Sequence, residues 1–77
     1  MTGPQYTVKQ VAQAIGVSPA TVRAWERRYG VVTPARSPSQ YRLFDTADLA
    51  RLRRMAALVR AGHPASLAAS QVLADPP

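Results

Sequence analysis

The 77 residues suffice for one small domain, and the absence of cysteine excludes disulfides and thiolate metal sites. No apolar run approaches the ~18 residues of a membrane span, and the N-terminus lacks a signal-peptide core, so we expect a cytoplasmic protein with no membrane partner. Ten basic residues against four acidic ones give a net charge of +6, and every basic residue except Lys9 is an arginine between Arg23 and Arg60. This clustering favours a nucleic-acid partner over mere solubility or attraction to an acidic surface.

Two short helices joined by a tight turn are predicted first. Thr7 has the position of a capping-box residue ahead of an apolar helical repeat, and Gly16 ends that helix. Ser18 caps a second helix, which has a proline at its first position and ends at Gly30. Two helices separated by so short a turn predict a helix-turn-helix.

The pattern changes between residues 31 and 44. A short β-branched run, a polar turn segment and the alternating "YRLF" predict a small hairpin, or wing, with Leu43 as its core residue. Asp45 then caps a third helix, with Asp48 as its capping-box partner, and Pro64 opens a fourth helix. In that fourth helix Leu67, Ala68, Gln71 and Val72 follow a helical spacing.

The predicted fold is therefore mostly α: a winged helix-turn-helix with four helices and a short two-stranded hairpin wing. The domain is expected over residues 6–74, after a disordered segment 1–5 and before the start of a linker at 75–77. Off the apolar stripe of the third helix lie four arginines, of which we expect half or more to form a solvated face: Arg51, Arg53, Arg54 and Arg60.

The second helix carries the residues that point to function. On a helical wheel of ~100° per residue, Val22, Trp25 and Tyr29 share the core side, while Arg23 and Arg27 lie opposite among alanines. Small residues let a helix approach base pairs closely, and the guanidinium fork of arginine matches phosphate oxygens and guanine edges. An ordinary solvated face would more often mix Glu and Lys pairs. We expect residues 18–29 to form a recognition helix whose DNA-binding candidates are Thr21, Arg23, Arg27 and Arg28.

Basic residues also flank the turn of the predicted hairpin. Arg36 and Arg42 have positions from which a protruding ribbon reaches phosphates or the minor groove. Tyr41 has two interpretations: its ring inserts against a sugar or base step, or it packs on the hairpin.

Together these segments resemble the N-terminal DNA-binding domain of MerR-type transcription regulators. The stretch "VRAWERRYG" followed by "YRLF" is most similar to the CarA/CarH branch, the cobalamin-dependent, light-responsive repressors, and the resemblance covers residues 6 to about 73. It implies a second helix that enters the major groove through Arg23 and Arg27, with Thr21 or Arg28. The chain departs from most members at the wing tip, where Ser39 and Gln40 replace glycine.

The same resemblance implies roles for the wing and for missing parts. Arg42 matches the wing residue that contacts phosphate or the minor groove, Tyr41 matches the position before it, and Arg36 matches the basic residue that opens the wing. Family members carry a C-terminal sensor domain, which binds cobalamin in this branch. We therefore expect the chain to be part of a longer regulator, with no cofactor of its own.

The expected function is sequence-specific binding of double-stranded DNA by the DNA-binding domain of a bacterial, nucleoid-associated MerR-type regulator, a repressor. Alone it should be a monomer or weak dimer, and its longer parent an oligomer. One alternative is an interaction module whose basic face binds an acidic, DNA-mimicking antirepressor protein, and another is a non-specific architectural DNA binder. Catalysis and metal binding have no support, because the single histidine, His63, adjoins a helix start and no paired carboxylates or glycine-rich phosphate loop occur.

Overall fold

The computed structural model describes residues 4–36 and 42–74, with the backbone alone at residues 35, 36 and 42. This part of the chain is mostly helical and contains the expected four helices, which confirms the helix-turn-helix. In chain order the elements are α1 (Val8–Ile15), α2 (Pro19–Tyr29), β1 (Ala35–Arg36), β2 (Arg42–Leu43), α3 (Thr46–Arg60) and α4 (Ala65–Ala74).

The first two helices begin and end where their capping residues predict. The Thr7 hydroxyl accepts from the Gln10 N–H at 3.2 Å, and the Gln10 side chain accepts in return from the Thr7 N–H at 2.9 Å. At the end of α1, Gly16 has a φ of 76°, a left-handed conformation that glycine adopts without steric cost. The Ser18 hydroxyl caps α2 by accepting from the Thr21 N–H at 3.1 Å. Local hydrogen bonding thus fixes both helices and the short turn between them.

The third helix is also bounded by the residues predicted for it. Asp45 and Asp48 exchange hydrogen bonds between side chain and backbone, as a capping box requires. Beyond Arg60 the chain turns at Gly62, where the N–H of His63 bonds the carbonyl of Leu58 in a Schellman arrangement. The fourth helix begins at Ala65, one residue later than predicted, because Pro64 provides the carbonyl for its first hydrogen bond.

The segment between α2 and α3 differs from the predicted hairpin over 31–44. Val31 and Val32 lie outside any strand and are buried in the core. The two strands are only two residues long and pair antiparallel, with Ala35 opposite Leu43. Residues 37–41, which include the predicted turn and Tyr41, lie outside the described residues.

Phe44, which follows β2, is the core residue here, rather than Leu43 within β2. Phe44 is fully buried, whereas Leu43 is half-buried, so the alternation argument chose the wrong residue. The reason is a long-range pairing: Phe44 and Tyr6 exchange backbone hydrogen bonds of 2.7 and 2.8 Å. This bridge joins the residues that immediately precede the caps of α1 and α3, so that both helices start side by side.

One continuous core lies between the helices and this bridge. In α4, Ala68, Ala69 and Val72 are buried, whereas 46 % of the Leu67 surface is exposed. The buried hydrophobic residues are Val11, Ala12, Ile15, Val22, Trp25, Val31, Val32, Phe44, Leu52, Met55, Ala56, Ala68, Ala69 and Val72.

Candidate nucleic-acid interface

Helix α2 divides into a buried side and an arginine side. Val22 is fully buried and Trp25 is 7 % exposed, so these two residues anchor the helix in the core. Arg23, Arg27 and Arg28 are all exposed. The helix therefore presents three cations to solvent, and the exposure of Arg23 and Arg27 is as the helical wheel predicts.

Small side chains accompany the arginines on this surface. Ala20 is exposed and Ala24 is half-buried, so no large side chain from these positions stands beside Arg23 and Arg27. A helix with such a surface fits closely into a groove about 12 Å wide, the width of the DNA major groove. The arrangement suits guanidinium groups that must reach a base edge or a phosphate.

Thr21 lies at the start of the same helix and is half-buried. Its hydroxyl is 2.9 Å from the Ser18 hydroxyl, and its N–H is bonded to that same oxygen. The Thr21 side chain is therefore part of the helix cap, which holds it in one place while leaving part of it accessible. Its candidacy as a DNA contact stays a prediction.

The two arginines of the paired strands are opposite each other. Arg36 and Arg42 form a directly facing pair in the antiparallel register of β1 and β2. This brings their backbones together at the end of the ribbon next to residues 37–41. The contacts predicted for Arg36, Arg42 and Tyr41 remain predictions, and Tyr41 lies outside the described residues.

Three of the four arginines of α3 are exposed, in line with the expectation for half or more of them: Arg53, Arg54 and Arg60. Arg51 lies 3.7 Å from the Asp48 carboxylate, one turn away on the same helix. Arg60 also donates a hydrogen bond of 2.7 Å to the backbone carbonyl of Ile15 in α1. The sequence gives no sign of this bond, because the two partners are 45 residues apart.

Asp48 is the buried charged residue of the described segments, with 8 % of its surface exposed. Burial raises the pKa of the Asp48 carboxyl above its ordinary 3.8, and the negative charge of Asp45 adds to this effect. The hydrogen bond with the Asp45 backbone and the nearby Arg51 act in the opposite direction. Asp48 is thus a structural residue of the cap that begins α3.

The described segments lack the features of two other kinds of site. They contain no group of three or more His, Cys, Asp or Glu side chains placed to hold a metal ion. None of their helices has the length and apolar character needed to cross a membrane.

Comparison with known families decides the class of protein. The model of the MerR HTH family of regulatory proteins matches residues 6–71. The chain belongs to the MerR family. The match covers α1, α2 and α3 and extends into α4, so the order of elements described above is that of a MerR-type helix-turn-helix domain.

Curated relatives in this family are transcriptional regulators, not enzymes. The chain is similar to the transcriptional repressors CarH (42 % identity over 83 % of this chain) and CarA (39 % over 91 %) of Myxococcus xanthus. It is also similar to the transcriptional regulator MlrA of Escherichia coli K12, with 44 % identity over 65 % of this chain. The predicted resemblance to the CarA/CarH branch is thus confirmed, and it extends to MlrA. The matched regions are 21 % of MlrA, 21 % of CarH and 25 % of CarA, so the chain spans about a quarter or less of each relative.

A solved structure shares the fold. The crystal structure of HiNmlR, a MerR family regulator lacking the sensor domain and bound to promoter DNA, superposes with a TM-score of 0.77. The likeness covers 91 % of this chain and 56 % of that chain, at 23 % sequence identity. At this identity the likeness supports the fold of the domain alone. The bound promoter DNA is a feature of the HiNmlR structure.

Proposed function

We propose that this chain binds double-stranded DNA in a sequence-specific manner, as the DNA-binding domain of a MerR-type transcriptional repressor. The observation that carries the proposal is the two-sided character of α2. Its apolar side is anchored in the core by Val22 and Trp25, while Arg23 and Arg27 project from the other side among alanines. A rigid helix with this surface is suited to the major groove.

The relatives support the same function. CarH and CarA are named as repressors, and the structural neighbour is a MerR regulator bound to promoter DNA. We infer that the parent of this chain also represses transcription. Its cobalamin dependence, its oligomeric state and its place at the nucleoid would be properties of the longer protein, because the chain spans about a quarter or less of these relatives.

The proposed contacts fall into two groups with different effects. Arg23 and Arg27 would read base edges in the major groove, helped by Thr21 or Arg28, and would therefore determine sequence preference. Arg36 and Arg42 would act from the paired strands on the phosphate backbone or the minor groove, together with Tyr41. Contacts of this second group position the domain and add affinity for every sequence.

The test compares one arginine from α2 with one from α3. A duplex is first selected from a randomised library by the wild-type chain, and a scrambled duplex of equal length serves as reference. Arg27→Ala should weaken binding to the selected duplex by about five- to 150-fold, the contribution of one base contact, with a smaller effect on the scrambled duplex. Arg53→Ala is the matched control, because it removes the same charge from an exposed position on α3.

The result that contradicts the proposed recognition helix is equal loss on both duplexes for Arg23→Ala and Arg27→Ala. If Arg53→Ala lowered the preference as strongly as Arg27→Ala, base reading would not be a property of α2. Similar affinity of the wild type for every duplex would favour a non-specific architectural binder instead.

A second candidate function uses the same surface. The exposed cations of α2, on a chain with a net charge of +6, also suit an acidic protein that mimics DNA, such as an antirepressor. Competition between the selected duplex and such a protein would show one shared surface. Simultaneous binding of both would contradict it.

A further inference from the structure

One exposed arginine of this basic chain also bonds the backbone of a helix that is distant in sequence. The Arg60 guanidinium, at the end of α3, donates through Nη2 to the Ile15 carbonyl at the end of α1, at a distance of 2.7 Å. The bond joins the last turns of two helices that are far apart in sequence. It is also short, as expected for a bond with a charged donor.

The end of α1 needs such a donor. The last carbonyls of a helix lack partners within the helix, and they carry the negative end of its dipole. The α1 helix has no basic residue in its last turn. The next two N–H groups, of Gly16 and Val17, both bond the Ala12 carbonyl and leave the Ile15 carbonyl to Arg60. Arg60 therefore supplies from α3 the cation that α1 lacks.

Gly16 makes room for the guanidinium. A Cβ atom at this position would lie 3.0 Å from Arg60 Nη2, closer than a relaxed van der Waals contact. At Gly30, which has a similar left-handed conformation at the end of α2, a Cβ would meet nothing within 4 Å. The guanidinium of Arg60 thus lies directly against the backbone of the turn between α1 and α2.

We propose that Arg60 is a positioning residue for DNA recognition, which holds the turn of the helix-turn-helix against α3. The inference depends on the proposed function. The cap of α2 at Ser18 follows Ile15 by three residues, so a bond at Ile15 constrains where α2 starts. The other end of α3 follows β2 directly, through Phe44 and Asp45. Arg60 therefore fixes α2 relative to the helix that carries the paired strands.

A misplaced α2 would lose base contacts before it loses charge attraction. Base edges must be met within hydrogen-bonding distance, whereas attraction between arginine and phosphate acts over about 10 Å at ordinary salt. Arg60→Ala should therefore lower the preference for the selected duplex over the scrambled duplex about fivefold. This is the lower end of the range for one base contact. Arg60→Lys, which keeps a cationic donor, should restore part of that preference.

The experiment measures this preference for the wild type, Arg60→Ala, Arg60→Lys and the control Arg53→Ala, well below each unfolding midpoint. Arg53 lies two helical turns before Arg60 on the same side of α3, so the control removes the same charge from the same helix face. Amide hydrogen exchange at Gly16 and Val17 provides a second readout that involves no DNA. It should become faster in Arg60→Ala and stay unchanged in Arg53→Ala.

The outcomes separate this inference from the proposed function. Unchanged preference in folded Arg60→Ala, or an equal loss of preference in Arg53→Ala, would overturn the positioning role. If the wild type showed no preference for any duplex, the proposed function would fail. In that case unchanged amide exchange in Arg60→Ala would separately contradict the proposal that Arg60 stabilises the turn between α1 and α2. Faster exchange together with lost preference, partly restored by Arg60→Lys, is the result we expect.

Discussion

Replacing Phe44 tests whether this residue, rather than its neighbour Leu43, supports the core. Phe44 is fully buried and pairs through its backbone with Tyr6, whereas Leu43 is half-buried. Truncating a buried phenylalanine to alanine costs about 3–5 kcal/mol of unfolding free energy. Leu43→Ala removes a side chain that is only partly withdrawn from water, so it should cost about 1–2 kcal/mol, less than the 2–5 kcal/mol of a buried leucine.

The small size of the chain limits its total unfolding free energy, and therefore which variants remain folded. At roughly 0.05–0.15 kcal/mol per residue, a domain of this length has about 4–12 kcal/mol of stability, so Phe44→Ala removes much of it. Urea unfolding followed by circular dichroism gives the midpoints for both variants. Phe44→Leu, expected to cost about 1 kcal/mol, keeps the test informative if Phe44→Ala does not fold. A loss in Leu43→Ala equal to or larger than that in Phe44→Ala would refute this account of the core.

Three further changes test individual features of the fold. Gly16→Ala should lower the unfolding free energy more than Gly30→Ala, because both cost about 1–2 kcal/mol for the left-handed conformation but only Gly16 faces the Arg60 guanidinium. The difference should vanish in an Arg60→Ala background, and a difference that persists there would contradict the contact. Ser18→Ala should cost about 1 kcal/mol of unfolding free energy in a urea titration, and no change would mean that its hydroxyl does not cap α2. For Asp48 the folded-state pKa is raised, so the native protein holds the proton more tightly than the unfolded chain and this residue's stabilising effect falls as pH rises above about 4. The stability of the wild type minus that of Asp48→Asn should therefore decrease between about pH 4 and pH 6, and an increase over that range would contradict the direction of the shift.

Local signals in the sequence predict the helices well. Thr7, Ser18 and Asp45 each bond a backbone N–H three residues later, so the signal and the structure that it specifies lie within one helical turn. The arginine side of α2 is predictable for the same reason, because helical geometry alone separates Arg23 from Trp25. These are features in which sequence neighbours are also neighbours in space.

Long-range contacts explain the predictions that were wrong. Phe44 is buried because it pairs with Tyr6, 38 positions earlier, and no alternation within "YRLF" encodes that partner. Val31 has the composition of a strand residue, yet it is buried in the core outside any strand. Arg60 is exposed, as a solvated arginine would be, but its bond to the Ile15 carbonyl depends on a partner 45 residues away that the sequence does not indicate. In each case tertiary packing overrides a local preference.

Sequence-specific DNA binding is the central claim, and one titration tests it most directly. Fluorescence anisotropy of the wild-type chain is measured against duplexes from the promoter region that precedes its own gene and against scrambled duplexes, at two salt concentrations. The account predicts a preference of at least about tenfold for one promoter duplex that persists at the higher salt, while total affinity falls. Equal binding to all duplexes, abolished by salt, would contradict it and leave only the attraction of a basic surface for DNA.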